Sequence, residues 1–133
     1  MPAFLNKAHN NVSTAELLLD NGLPLTSAHP AYYSVFLLLK YVLAHFCSID
    51  YVKQDELTSG QGSHREIADR ALPYLIANDA EVANDYKVWY NKLEMTRRKA
   101  DYRPVELKES QIRDVLNAAK SFKENVEKHF INA

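Results

Sequence analysis

Along most of this chain apolar residues recur at intervals of three and four, the spacing of one face of an α-helix. The first such run is Leu5, Ala8, Val12, Ala15 and Leu19. It predicts a helix from Ala3 to Asn21, with Gly22 as its C-terminal cap and Pro24 just beyond. The second, Leu25 to Phe46, is apolar on most faces, as suits a helix packed on several sides, and Pro30 predicts a late start or a bend. Cys47 to Gly62 is polar, with Asp50, Lys53, Gln54, Asp55 and Glu56, and reads as a long loop. A third helix begins at Ser63, where Ser63 and Glu66 have capping-box spacing, and Pro73 predicts a kink or restart near Leu72. The fourth opens near Asp79 and runs to about Ala100, turning Val82, Tyr86, Trp89, Leu93, Thr96 and Ala100 inward, until Pro104 stops it. The fifth starts at Ser110 and has the cleanest stripe: Ile112, Val115, Ala119, Phe122, Val126 and Phe130.

These segments predict an all-α, up-and-down bundle of four or five helices, forming one domain over residues 1–133. Glycine usage agrees. Only Gly22, Gly60 and Gly62 occur, too few for the tight turns a β-rich fold of this length would need. Hydrophobic residues at 47% and charged residues at 25% place the chain among ordinary globular sequences rather than disordered ones.

Charge and cysteine content narrow the function classes. The net charge of -1 gives no global field toward nucleic acid or membrane, so any polyanion site must come from local clustering. Cys47 is the only cysteine, which rules out an intrachain disulfide and a Cys-rich metal site and suits a reducing compartment. Met1 to Asn11 lacks a signal-peptide pattern. Ala31 to Cys47 is slightly short for a membrane span and carries Lys40 near its middle, so a buried central helix explains it better. A cytoplasmic protein that does not enter the membrane is expected. The histidines, His9, His29, His45, His64 and His129, form no i,i+4 pair and no Glu-x-x-His, so we expect no metal centre. Neither a Gly-rich phosphate loop nor a Ser or Cys nucleophile signature is present, and no cofactor is expected.

The most distinctive chemistry lies in Thr96-Arg97-Arg98-Lys99-Ala100-Asp101-Tyr102-Arg103-Pro104. Cations at a helix C-terminus favour its dipole, and Arg97 with Asp101 forms an i,i+4 pair, so a purely structural role accounts for the cluster. The same cluster also suits an anion the size of phosphate, held by arginine forks, with Tyr102 beside it. Tyr32 and Tyr33 are adjacent in the central helix, about 100° apart around its axis. One is expected to pack in the core and the other to carry its hydroxyl to an edge. His64, beside Arg65 at a helix start, reads as a solvated residue within reach of the loop.

Several stretches together resemble the HEPN family of helical-bundle domains, especially its small prokaryotic branch. They are "STAELLLDNGLP", "AHPAYYSVFLLLKYVL", "GSHREIADRAL", "RRKADY" and "VLNAAKSFKENV", in that order over nearly the whole chain. The resemblance implies one of two histories. Many members are metal-independent RNases, often toxins paired with a nucleotidyltransferase antitoxin; others bind RNA or partner proteins without catalysis. The family's RNase motif is an arginine, then four to six residues, then a histidine, placed at a dimer interface so that two copies build one cleft.

Carried onto this chain, Arg97 matches the motif's arginine, Asp101 falls inside the motif, and Tyr102 stands where the histidine is expected. Tyrosine titrates near pH 10 and makes a poor base at neutral pH, whereas histidine suits both proton transfers of RNA cleavage. His64 or His29 would then have to supply the missing group. The resemblance thus implies a homodimer joined through the second and fourth predicted helices, binding RNA or a nucleotide, with weak or lost RNase activity. Arg97 contacts phosphate, with Arg98, Lys99 and Arg103 assisting. Asp101 orients Arg97, Tyr102 lines the cleft, and Tyr32, Tyr33 and His64 give support. The alternative is a non-catalytic subunit that docks a nucleotidyltransferase or another partner.

Overall fold

The computed structural model describes residues 3–58, 63–104 and 106–132. Among them are six α-helices and no strand: α1 (Ala3–Asp20), α2 (Pro24–Phe46), α3 (Tyr51–Leu57), α4 (Ser63–Asn78), α5 (Ala83–Tyr102) and α6 (Glu109–Val126), followed by a π-helical turn, Glu127–Ile131. The chain is an all-α helical bundle.

Periodicity explains the packing. Leu5, Ala8, Val12, Ala15 and Leu19 are all buried on α1. Ala15, Ala28 and Ala31 are small enough for α1 and α2 to approach closely, and the Ser27 hydroxyl donates to the Ala15 carbonyl at 2.6 Å. Between them Gly22 has a φ of +76°, Leu23 N–H reaches the Leu18 carbonyl at 2.9 Å and Gly22 N–H the Leu19 carbonyl at 3.1 Å. That pair of bonds is a Schellman cap, which favours glycine because only glycine enters this region without a Cβ penalty. α2 touches every other α-helix and is buried nearly continuously from Ala31 to Leu43, as an apolar helix must be. On α6, Ile112, Val115, Ala119, Phe122 and Val126 are buried, and Phe130 packs against the same core from the π-turn.

Four expectations need correction. α2 starts at Pro24 and runs through Pro30 without a late start; a proline so near the N-terminus removes only one hydrogen bond from a helix anchored on all sides. α4 likewise runs unbroken through Pro73 from Ser63 to Asn78. The polar stretch after α2 contains α3, capped by the Asp50 carboxylate accepting from Lys53 N–H at 2.8 Å. Its buried residue is not apolar: Gln54, 1% exposed, donates to the carbonyls of Lys40 and Ile49, both at 2.9 Å. Finally, α5 opens at Ala83, not Asp79. Asp79 is buried in the preceding turn, where its carboxylate accepts from the Tyr86 hydroxyl at 2.6 Å. The Ser63 side chain of the expected capping box, and Gly60 and Gly62, lie outside the described residues.

Among the described residues no single helix is long and apolar enough to cross a membrane. Only α2 and α3 taken as a pair approach that, and they are bent by 116° at their break.

Candidate functional site

Where the C-terminal half of α5 passes α2 and the start of α4, a cavity of about 460 Å³ opens to solvent. Arg97, on the inner side of α5, forms its back. The Arg97 side chain is 11% exposed, with its guanidinium 4.7 Å from the centre of the Tyr32 ring and 5.8 Å from that of Tyr102. Asp101, one turn on, sits 3.6 Å from an Arg97 nitrogen, while Arg97 Nε is buried without a hydrogen-bond partner among the described residues. Arginine has five donors, and this arrangement leaves several uncommitted.

The rim is formed by Arg65 from α4, and by Arg98 and Arg103 at the end of α5. Between them Glu94, 6% exposed, takes Arg98 at 2.9 Å and Arg65 at 3.6 Å. One carboxylate therefore positions two guanidiniums, and four arginines face the cavity against it. The local balance is strongly positive although the chain as a whole carries -1.

His64 completes the lining. Its Nδ1 shares a hydrogen bond of 3.0 Å with the hydroxyl of the buried Tyr32, which lies 3.4 Å from the Tyr90 hydroxyl. The imidazole stacks on Phe36 at 4.2 Å between ring centres. Nδ1 is thus occupied, and Nε2 is the nitrogen left for a ligand. Burial lowers the His64 pKa below its ordinary 6.5, and the charge of Arg97 lowers it further, with smaller contributions from His29 and Lys40 against an opposing one from Glu94. His64 is consequently neutral at pH 7. Burial raises the Tyr32 pKa, and burial with the bond to Tyr32 raises that of Tyr90, so both phenols keep their protons.

Of the residues singled out from sequence, Arg97, Arg98, Tyr102, Arg103 and His64 line one cavity, and Tyr32 supports it from below. Asp101 does not line it; it bridges Arg97 and His29, whose Nδ1 is 3.2 Å away. Tyr33 stays at the edge, stacked on His29 at 5.9 Å. Lys99 is turned away: two residues beyond Arg97 means about 200° around the helix. Arg65, Glu94 and Tyr90 were missed. Tyr90 carried a readable signal, one turn from both Tyr86 and Leu93. Glu94 carried a weaker one, four residues before Arg98. Among the described residues no group of three His, Cys, Asp or Glu side chains is placed to hold a metal ion.

Compared with known families, residues 1–129 match the HEPN domain. The chain belongs to the HEPN family. Nothing among curated proteins and nothing among solved structures matches it. In this HEPN bundle the position expected to hold the motif's histidine is Tyr102, 74% exposed beside Arg97, while a histidine from another helix, His64, faces the same cavity.

Proposed function

We propose that this HEPN bundle binds RNA or a nucleotide through its phosphate, in the arginine cavity, with weak or lost metal-independent RNase activity. The observation that carries the reading is the convergence of Arg65, Arg97, Arg98 and Arg103 on one cavity whose one carboxylate among the described lining residues, Glu94, is already shared by two of them. Arginine forks match phosphate oxygens two at a time, and at Arg97, 11% exposed, the contact is strengthened relative to water, whereas Arg65, Arg98 and Arg103 stay exposed.

Cleavage by the RNA's own 2′-hydroxyl needs one group to take the 2′-proton as the oxygen attacks phosphorus. A second must protonate the 5′-oxygen as its bond to phosphorus breaks. His64, neutral and open at Nε2, suits one of these tasks. Tyr102, 74% exposed and held by no hydrogen bond among the described residues, is not positioned for the other, and His29 is engaged with Asp101 outside the cavity. Arg97 would still stabilise the charge on the pentavalent phosphorus. One equipped proton transfer out of two gives slow chemistry over competent binding. Such a module fits a cytoplasmic toxin–antitoxin or related defence pair.

A gel-retardation assay with labelled single-stranded RNA in EDTA reads binding and cleavage together. The parent is expected to retard the RNA with little or no cutting, and Arg98→Gln with Arg103→Gln to release it. Efficient cutting to cyclic-phosphate ends that survives in the parent and vanishes in His64→Gln would show an active nuclease instead. No retardation at stoichiometric protein would sink the phosphate reading.

One observation favours the alternative, a non-catalytic subunit docking a nucleotidyltransferase or another partner protein. Val88, Met95 and Tyr102 are exposed on α5 at intervals of seven, which aligns them on one face. A homodimer or a partner would use this face. The middle of α2 has little to offer, since between Ala31 and Leu43 only Tyr33 and Lys40 escape full burial, although Leu25 in its first turn is 42% exposed. Pull-down with the nucleotidyltransferase of an adjoining gene, if one exists, tests it, and Met95→Glu should abolish the capture.

A further inference from the structure

A second hollow, of about 230 Å³, lies between α4 and α5. Arg65 lines both hollows. On α5 the first is lined by Glu94, Arg97, Arg98 and Tyr102, and the second by Lys87, Tyr90 and Asn91, seven residues before the first three of these. The two therefore share one face of α5, displaced by two turns, or about 10 Å. The second hollow differs in character. Ala68, Leu72 and the Tyr90 ring give it an apolar, buried floor. At its edge the Asn91 and Lys87 side chains have no hydrogen bond or ion pair among the described residues.

We infer that this α4–α5 hollow is a nucleobase subsite, filled by the base of the same nucleotide whose phosphate sits among Arg65, Arg97 and Arg98. The inference rests on the phosphate reading and extends it. A displacement of two helical turns is comparable to the span from a phosphate to its own base. An apolar floor takes the flat, poorly hydrated face of a base, and the guanidinium plane of Arg65 can cover it from the junction. The Asn91 amide, with a donor and an acceptor side by side, complements the polar edge that a base presents. An isolated phosphate would use neither the apolar floor nor Asn91.

The test is an NMR titration of the full chain with three probes: inorganic phosphate, ribose 5-phosphate and adenosine 5′-monophosphate. All three are expected to shift the amides of His64 and Arg98, and only the nucleotide those of Ala68, Leu72 and Asn91. The nucleotide should bind about tenfold more tightly than ribose 5-phosphate, the scale of one stacked base. Asn91→Ala, at an exposed position clear of the core, should reduce that advantage by the share of the base-edge hydrogen bonds while leaving ribose 5-phosphate binding unchanged. Equal affinities for nucleotide and ribose 5-phosphate, with shifts confined to the arginine cavity, would overturn the base subsite and leave the phosphate site standing. No shift with any probe would overturn both.

Discussion

His64 is the residue whose role changed most between sequence and structure. Its first-turn position beside Arg65 suggests a solvated residue; the fold instead sets it on Phe36, bonds it to Tyr32 and aims it into the arginine cavity. Because its folded pKa is lowered, the unfolded chain binds the proton more readily. The contribution of His64 to stability is therefore complete above the ordinary value of 6.5 and is lost as pH falls through the lowered folded value. An NMR titration should find the His64 pKa below 6.5, and Arg97→Gln should move it upward by removing a facing cation. An unchanged pKa in that variant would mean that the two side chains do not share the cavity. Tyr32→Phe takes away the hydroxyl that meets both His64 and Tyr90, leaving a buried Tyr90 phenol without that partner. A loss of about 1–2 kcal/mol in denaturant unfolding is expected, together with release of the His64 ring, seen as a changed Nδ1 resonance.

Among the elements, legibility followed apolar periodicity. All five inward residues read for α1 are buried, and five of the six read for α6 are buried with Phe130 packed beside them. The late start read from Pro30 and the restart read from Pro73 do not occur, and both helices continue through their prolines because tertiary packing outweighs one lost helical bond. α3 escaped notice because its buried anchor is a glutamine, and the apolar pattern has nothing to say about an amide that satisfies two carbonyls. The site was half legible for the same reason. Its α5 members lie together in the sequence, but Arg65 and His64 come from α4 and meet them only through the fold. Gln54→Ala should free α3 and speed amide exchange from Tyr51 to Leu57, at a cost of about 1–3 kcal/mol; unchanged exchange there would show that α3 is held by something else. In Gly22→Ala the new Cβ would meet nothing within 4 Å, so only the positive φ opposes it. The expected cost is about 1–2 kcal/mol in thermal or urea unfolding.

For the molecule as a whole, the near-neutral charge and the arginine cavity pull in different directions. Long-range attraction to RNA is weak at a net charge of -1, so affinity has to come from a few short contacts in one place. That distribution has a quantitative signature. Each phosphate contact to single-stranded RNA contributes a slope of about -0.7 in the logarithm of affinity against the logarithm of salt concentration. One phosphate held among the arginines of the cavity therefore predicts a slope of about -0.7, and a second reached by Arg103 a total of about -1.4. A partner-docking face built on Val88, Met95 and Tyr102 would respond little to salt. The measurement to make is therefore the salt dependence of single-stranded RNA affinity, by fluorescence anisotropy, for the parent and for Arg98→Gln. Binding by the parent with a slope of about -0.7 to -1.4, made shallower in Arg98→Gln, is the predicted result. A slope near zero, or one that Arg98→Gln leaves unchanged, would contradict the arginine cavity as the seat of phosphate binding.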